Sequence, residues 1–153
     1  MSASVLEAVL TTLVAALNTN RPAAVPVVER DRWVDLEGPV AMPVVSLSGW
    51  EDEPKGGQST DRMVDFRVVK ANFEIYAAAS GVVTASQSVD AAVQWITKQC
   101  GPVDTTGALA STGATFVSLE KKMAIVGKGN VCRCLVELAI EYRNLVNDVT
   151  RAK

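Results

Sequence analysis

The stretch at residues 131–143, VCRCLVELAIEYR, decides the fold, because apolar and polar side chains alternate along its whole length. Six side chains fall on one face: Cys132, Cys134, Val136, Leu138, Ile140 and Tyr142. Four charged residues fall on the other: Arg133, Glu137, Glu141 and Arg143. A period of two over this length predicts one long β-strand with a buried face and a solvated face.

A second run of similar length and character lies at residues 62–76, but its alternation changes phase between Val68 and Val69. Such a change is typical of a β-bulge or of a strand that passes between two packing environments, and burial on both faces is the alternative. Two strands this long imply an antiparallel sheet larger than a catalytic pocket needs. The pattern therefore favours a scaffold or an assembly component over an enzyme.

The rest of the chain adds helices and shorter strands. Helical spacing of apolar residues predicts helices at 4–18 and 86–99, each with a capping-box sequence at its start. Alternation predicts strands at 42–49 and 115–126, the latter in a hairpin with 131–143. We therefore predict a single α+β domain over residues 1–153, with a mostly antiparallel sheet and two helices packed against it.

Four smaller features carry expectations of their own. A short edge strand is predicted near residues 25–29, because Pro26 cannot donate to a ladder. The polar, Gly-Gly-containing segment 50–61 is expected to be a mobile hairpin loop, and the tail 145–153 is expected to fray. Trp95 lies off the apolar stripe of its helix and is expected to be partly exposed.

Composition removes the commonest catalytic designs. The chain has no histidine, so His-based nucleophile activation and His-ligated metal sites are excluded. Its three cysteines, Cys100, Cys132 and Cys134, fit buried thiols in a reducing cytosol better than a disulfide or a zinc site. We expect no enzyme activity, no cofactor and no metal.

The net charge and the apolar runs bound the partners. A net charge of −2 gives no global basic surface for nucleic acid. No apolar run reaches the roughly 18 residues of a membrane span, so no membrane partner is expected.

The order of elements, with the segments 29–33 (ERDRW), 42–47 (MPVVSL) and 133–143 (RCLVELAIEYR), resembles the tail terminator proteins of long-tailed bacteriophages. The resemblance covers nearly the whole chain, from Val5 to Arg143. It implies a homo-oligomeric ring, commonly a hexamer, that caps the tail tube, stops its growth and receives neck or head-completion proteins. It also implies a virion location in the tail or neck, assembly in the host cytoplasm, and DNA that passes through the lumen without being read.

Two other classes stay open. One is another phage neck or tail-tube component, and the other is a small non-phage α+β binding domain. A tube protein would form long filaments, whereas a terminator would stop at one ring.

Charged residues on the strands and on the acidic loop are the candidate interface. The ring interface is predicted on Asp65, Arg67, Arg133 and Glu137, whose opposite charges would pair between neighbouring subunits. The loop adds four further residues: Trp50, Glu51, Asp52 and Glu53. The acids of this loop would suit a lumen or ring surface along which DNA slides, since like charges repel.

Overall fold

The computed structural model describes residues 4–30, 44–55, 64–78, 84–100, 114–125, 131–145 and 148–152. The elements within these ranges are helices α1 (Val5–Asn18) and α2 (Ala85–Cys100) and strands β1 (Val28–Arg30), β2 (Val44–Pro54), β3 (Val64–Ala78), β4 (Thr115–Ile125), β5 (Val131–Leu145) and β6 (Asp148–Ala152). The sheet order is β1-β2-β3-β5-β4, and β6 pairs with β5. β1 runs parallel to β2, and the other pairs are antiparallel, which confirms the predicted α+β class.

The pairing of β3 with β5 is the central ladder of the sheet. It runs from Val64 opposite Leu145 to Ala78 opposite Val131 without a register shift. The apolar set of β5 is buried, and Arg133 lies on the other face as predicted. The phase change in β3 is therefore no bulge in this ladder. It marks the passage from Phe66 and Val68, which face away from the helices, to the buried helix-side residues that begin at Val69.

A register shift does occur one strand further out, between Leu47 and Gly49 of β2. It lies directly after the last residue of β2 that pairs with β1. Since a bulge bends a strand and increases its twist, this is the point at which β2 leaves β1 and continues along β3 alone.

Both helices pack on one face of the sheet. α1 lies against β1, β5, β6 and α2, and α2 lies against β3, β4 and β5. The fully buried side chains between these layers include Leu10, Leu13, Leu47, Phe73, Ile75, Ile96, Leu138 and Ile140. This apolar layer is the hydrophobic core, and it holds the sheet and the helices together.

Both helices begin at their predicted capping residues, but only α2 forms the complete capping box. Ser4 Oγ accepts the Glu7 N–H at 3.1 Å. At the start of α2, Thr84 Oγ1 accepts the Gln87 N–H at 3.3 Å while Gln87 Oε1 accepts the Thr84 N–H at 2.9 Å, a reciprocal capping box. The Glu7 carboxylate instead pairs with Arg30 Nη1 at 2.5 Å, and this partner lowers the pKa of Glu7.

Asn18, the last residue of α1, binds the backbone of strand β1. Its amide nitrogen donates to the Val28 carbonyl at 3.0 Å, and its amide oxygen accepts the Val28 N–H at 2.8 Å. The side chain therefore bonds Val28 as a neighbouring strand would. β1 is the edge of the sheet, as predicted for this segment, and Asn18 satisfies part of that edge.

Two predicted boundaries are wrong. Residues 50–54 belong to strand β2 and not to a loop, because they pair with β3 as far as Pro54 opposite Arg67. The remaining part of the predicted loop, residues 56–61, lies outside the described residues. The tail forms β6, with Leu145 opposite Asp148 and Asn144 opposite Ala152, so its polar composition is compatible with a strand beside β5.

Trp95 is also a correction, since its side chain is only 8% exposed. The indole Nε1 donates to the Leu17 carbonyl at 2.8 Å. Leu17 lies in the last turn of α1, where backbone carbonyls lack an intrahelical partner. The ring thus covers the end of α1 and satisfies one of its acceptors, which brings it into the core.

We predict that Trp95→Phe lowers the free energy of unfolding by about 1–3 kcal/mol, because the Leu17 carbonyl stays buried without its donor. Urea unfolding followed by circular dichroism measures the change. Trp50→Phe is the matched control: Trp50 is 38% exposed, and its replacement should change stability by less than about 0.5 kcal/mol. Equal effects of the two substitutions would contradict this role of Trp95.

Candidate subunit interface

The sheet continues past the apolar core, and this part carries most of the predicted interface residues. We call residues 50–54 of β2, 64–68 of β3 and 141–145 of β5 the outer half of the sheet. On the helix side, the buried apolar positions give way here to Asp52, Arg67 and Tyr142, which neighbour one another across the three strands. Polar contacts therefore replace hydrophobic packing on this side of the outer half.

These three residues form one hydrogen-bonded network together with Asp65. Arg67 Nε donates to Asp52 Oδ2 at 3.0 Å, and Arg67 Nη1 donates to Asp65 Oδ2 at 3.2 Å. The Tyr142 hydroxyl donates to the second Asp52 oxygen at 2.8 Å. Asp52 thus accepts from β3 and β5 at once, and the network joins all three strands.

Electrostatics strengthen this network. Burial alone would lower the pKa of Arg67, but the Asp52 and Asp65 carboxylates outweigh it and raise that pKa. Burial, and next the hydrogen bond to Asp52, raise the pKa of the Tyr142 phenol. Both shifts favour the protonated forms of the Arg67 guanidinium and the Tyr142 phenol, which are the hydrogen-bond donors of the network.

On the opposite face of the sheet, two ion pairs and one cation–ring contact lie in and next to the outer half. Lys70 Nζ lies 3.4 Å from Glu53 Oε1, and Lys55 Nζ lies 2.7 Å from Glu141 Oε1. The Arg143 guanidinium stacks 5.0 Å from the centre of the Phe66 ring. The Lys70–Glu53 and Arg143–Phe66 contacts join neighbouring strands, and the Lys55–Glu141 pair reaches across β3 to β5. The ion pairs are partly exposed, so each contributes a small energy.

Arg133 belongs to a second cluster on this face, nearer the core half of the sheet. Arg133 Nη2 donates to Glu74 Oε1 at 2.5 Å, and its guanidinium lies 5.9 Å from the centre of the Tyr76 ring. The Glu74 partner, against the opposing effect of burial, raises the pKa of Arg133. Arg133 therefore has an acidic partner within its own chain.

The eight predicted interface residues thus divide into different environments. Asp52, Asp65 and Arg67 form the helix-side network, whereas Arg133 and Glu137 lie on the opposite face, so the structure does not bring these two groups together. Trp50, Glu51 and Glu53 are exposed on β2, and the Arg30 guanidinium lies 5.4 Å from the centre of the Trp50 ring. Their place between subunits stays a prediction.

Sequence reasoning missed Tyr142, Lys55 and Glu141 as parts of this site. Tyr142 was placed on the buried face, which is correct, since its side chain is buried. Its hydroxyl needs a partner when buried, and that requirement was the available signal. The partner, Asp52, lies 90 residues away in sequence, so only the strand pairing identifies it.

The described residues contain no set of three or more Cys, Asp or Glu side chains placed to hold a metal ion. The side chains of Cys100, Cys132 and Cys134 are buried, and burial raises the pKa of Cys134. A buried thiol with a raised pKa is a poor nucleophile. Neither helix of the described part has the length and apolar character of a membrane span.

Comparison with known proteins gives matches to solved structures but no match by sequence. No family model matches the chain, and no curated protein matches it. Among solved structures, a chain of the "Virion of native gene transfer agent (GTA) particle" is similar, with a TM-score of 0.47 and 17% sequence identity. The match covers 93% of this chain and 92% of that chain.

The Tyr142–Asp52 hydrogen bond predicts a dependence of stability on alkaline pH. The pKa of Tyr142 is raised in the folded protein, so its contribution is complete below the unfolded tyrosine pKa of about 10 and is lost as pH rises through the folded value. The free energy of unfolding should therefore fall more steeply above about pH 10 in the parent than in Tyr142→Phe.

Urea unfolding at several pH values tests this difference. Tyr76→Phe is the matched control for removal of a phenol: burial raises the pKa of Tyr76 too, but its phenol lies beside Glu74 and Arg133 and outside the Asp52 network. The prediction is wrong if the parent and Tyr142→Phe lose stability in parallel over this range.

Proposed function

We propose that this chain is a structural virion protein of a phage-like particle, and that it forms a ring that caps the tail tube. The ring would end polymerisation of the tube and provide the surface for head-tail joining. The proposal begins from the sequence resemblance to tail terminators, which spans Val5 to Arg143. It assigns the chain no catalytic step and no cofactor.

The observation that carries the proposal is the outer half of the sheet. β2 and β3 continue past the apolar core and are held there by the Asp52–Arg67–Asp65–Tyr142 network and by the Lys55–Glu141 pair. A subunit that worked alone would gain little hydrophobic burial from this extension. In a subunit that packs against copies of itself, the extension supplies a contact surface. Because this surface is polar, water solvates it until the copies associate.

The partners follow from this role. The ring would contact the tail-tube protein on one side and a neck or head-completion protein on the other. Exposed Glu51 and Glu53 would leave acidic groups near the surfaces past which DNA moves, and like charges repel. The protein would therefore reside in the tail or neck of the virion, after assembly in the host cytoplasm, without specific DNA binding.

Native mass spectrometry and electron microscopy of the purified protein test the ring directly. We expect a closed ring, because one heterologous interface repeated by rotation can close on itself, and the resemblance to tail terminators implies six copies. Open filaments would instead indicate a tail-tube protein. A protein that stays monomeric at the highest concentrations measured would contradict a self-assembling ring.

Particles made without the protein test the cap. Their tails should have uncontrolled length or should fail to join heads, and a copy of the gene supplied separately should restore normal particles. Tails of normal length, attached to heads in the absence of the protein, would reject the terminator role.

A further inference from the structure

Among the described strands, the sheet leaves two stretches of strand edge unpaired, on opposite sides of the same layer. β1 pairs only with Val45–Leu47, so the outer side of β2 from Ser48 to Pro54 pairs with no described strand. On the far side, β4 pairs with β5 alone, and its outer side likewise has no partner among the described strands. Open edges present backbone N–H and C=O groups that can pair with another strand.

The backbone of β2 is oriented for such pairing. The Lys55 N–H donates to the Phe66 carbonyl of β3 at 2.9 Å, so Lys55 points inward. Because the direction alternates along an antiparallel strand, Trp50 and Asp52 turn their backbone groups outward. Pro54 falls at the next outward position, where its missing N–H breaks no bond within the subunit.

Each open edge also carries an exposed apolar side chain and an excess of one charge. Three large apolar side chains are exposed among the described residues, and two of them lie at these edges: Trp50 on β2, 38% exposed, and Val117 on β4, 44% exposed. The β2 edge carries Glu51 and Glu53, and the β4 edge carries Lys121 and Lys122, all exposed. The two edges therefore complement each other in charge.

We infer that β2 of one copy pairs with β4 of the next copy, so that the sheets of the proposed ring join edge to edge. The inference rests on the proposed function, since it specifies how the ring closes. β2 and β4 run in opposite directions, because three antiparallel steps separate them in the sheet. In a ring whose strands are tilted to its axis, as in a closed barrel, rotation keeps the sense of the strands from copy to copy, so the junction is antiparallel.

The faces of the two sheets limit the register of this junction. Glu53 faces away from the helices on β2, as do Glu120 and Lys122 on β4, and a continuous sheet must keep these side chains on one face. Glu53 opposite Lys122 satisfies this condition and also brings Lys55 opposite Glu120. Both cross-strand pairs then have opposite charges.

Neighbouring registers that preserve the faces are worse. A shift of two residues in one direction places Glu53 opposite Glu120, and the same shift in the other direction places Lys55 opposite Lys122. Like charges directly opposite each other destabilise a strand pair. The junction therefore selects the register with Glu53 opposite Lys122.

Charge reversal tests the junction with a matched control. Lys122→Glu should weaken association between subunits on the order of fivefold, and adding Glu53→Lys to it should restore most of the loss. Lys121→Glu makes the same charge change one residue away but on the helix-side face, where it opposes no acidic residue directly, and it should weaken association less than Lys122→Glu does. Sedimentation velocity over a concentration series measures the three variants, and equal loss in Lys121→Glu and Lys122→Glu would overturn the register.

Disulfide cross-linking gives the decisive test. β2 and β4 of one chain are about 14 Å apart, at three strand spacings, so a chain carrying Glu53→Cys and Lys122→Cys can form that bridge only with another copy. Mild oxidation should convert the ring into a covalent ladder of multimers. The shifted pair Glu51→Cys with Lys122→Cys should not cross-link, since two residues along a strand move the sulfur by about 7 Å.

The outcomes separate this inference from the proposed function. A covalent ladder from the first pair supports the junction, and a ladder from the shifted pair alone overturns its register. A parent that forms rings but whose double-cysteine rings never cross-link overturns the junction and leaves the ring standing. A parent that forms no ring overturns the proposed function itself.

Discussion

The unbroken ladder between β3 and β5 is the constraint on which the rest of the structure depends. It pairs Val64 with Leu145 at one end and Ala78 with Val131 at the other, with no register shift between them. A slip of one residue would turn every side chain of one strand to the opposite face. Phe73 and Ile75 of β3 would then leave the core while Leu138 of β5 stayed in it, so the joint burial of these side chains fixes the register of this ladder.

The same ladder passes through two physically different environments. In the part of the ladder that lies beneath the helices, the helix-side residues are apolar, and hydrophobic burial stabilises the pairing. In the outer half the helix-side positions of the ladder are Arg67 and Tyr142, which both bond Asp52 of β2. Hydrogen bonds require a specific direction, so in the outer half they, rather than apolar burial, fix the positions of the strands relative to one another. Hydrogen bonds within the chain fix the shape of such a surface, and the surface stays solvated in a subunit that has not yet bound a partner.

The sequence predicted what depends on periodicity. Alternation identified β3, β5 and the β4–β5 hairpin, and apolar spacing with capping boxes identified both helices. These elements bury one face each, and that burial leaves a period in the apolar residues that the local sequence shows. The strand at residues 50–54 was mistaken for a loop, since Glu51, Asp52 and Glu53 have no alternation and low strand propensity. Its stabilising partners, Arg67 and Tyr142, are distant in the chain and carry no local signal.

For the same reason, the interface prediction did not show which of its charged residues pair with each other within one chain. Residue type indicated that Arg67, Asp65 and Arg133 are charged strand positions, but it did not show which charges find partners within the chain. The ladder places Asp65 beside Arg67 and places Arg133 on the other face, next to Glu74. Trp95 is a parallel case, because the acceptor that brings it into the core is the Leu17 carbonyl of the other helix.

The two edges of the sheet are treated differently, and this difference bears on how copies could meet. Asn18 bonds both backbone groups of Val28 and so occupies part of the β1 edge from within the chain. β4 instead carries a register shift between Phe116 and Ser118 and two exposed lysines, devices that discourage indiscriminate strand pairing. Lysines repel another lysine-bearing edge but attract an acidic one, so two copies of β4 would not pair with each other, whereas β4 and the acidic part of β2 would. An edge that rejects itself and accepts a different edge of the same molecule produces head-to-tail contacts, and head-to-tail contacts are the kind that close into rings.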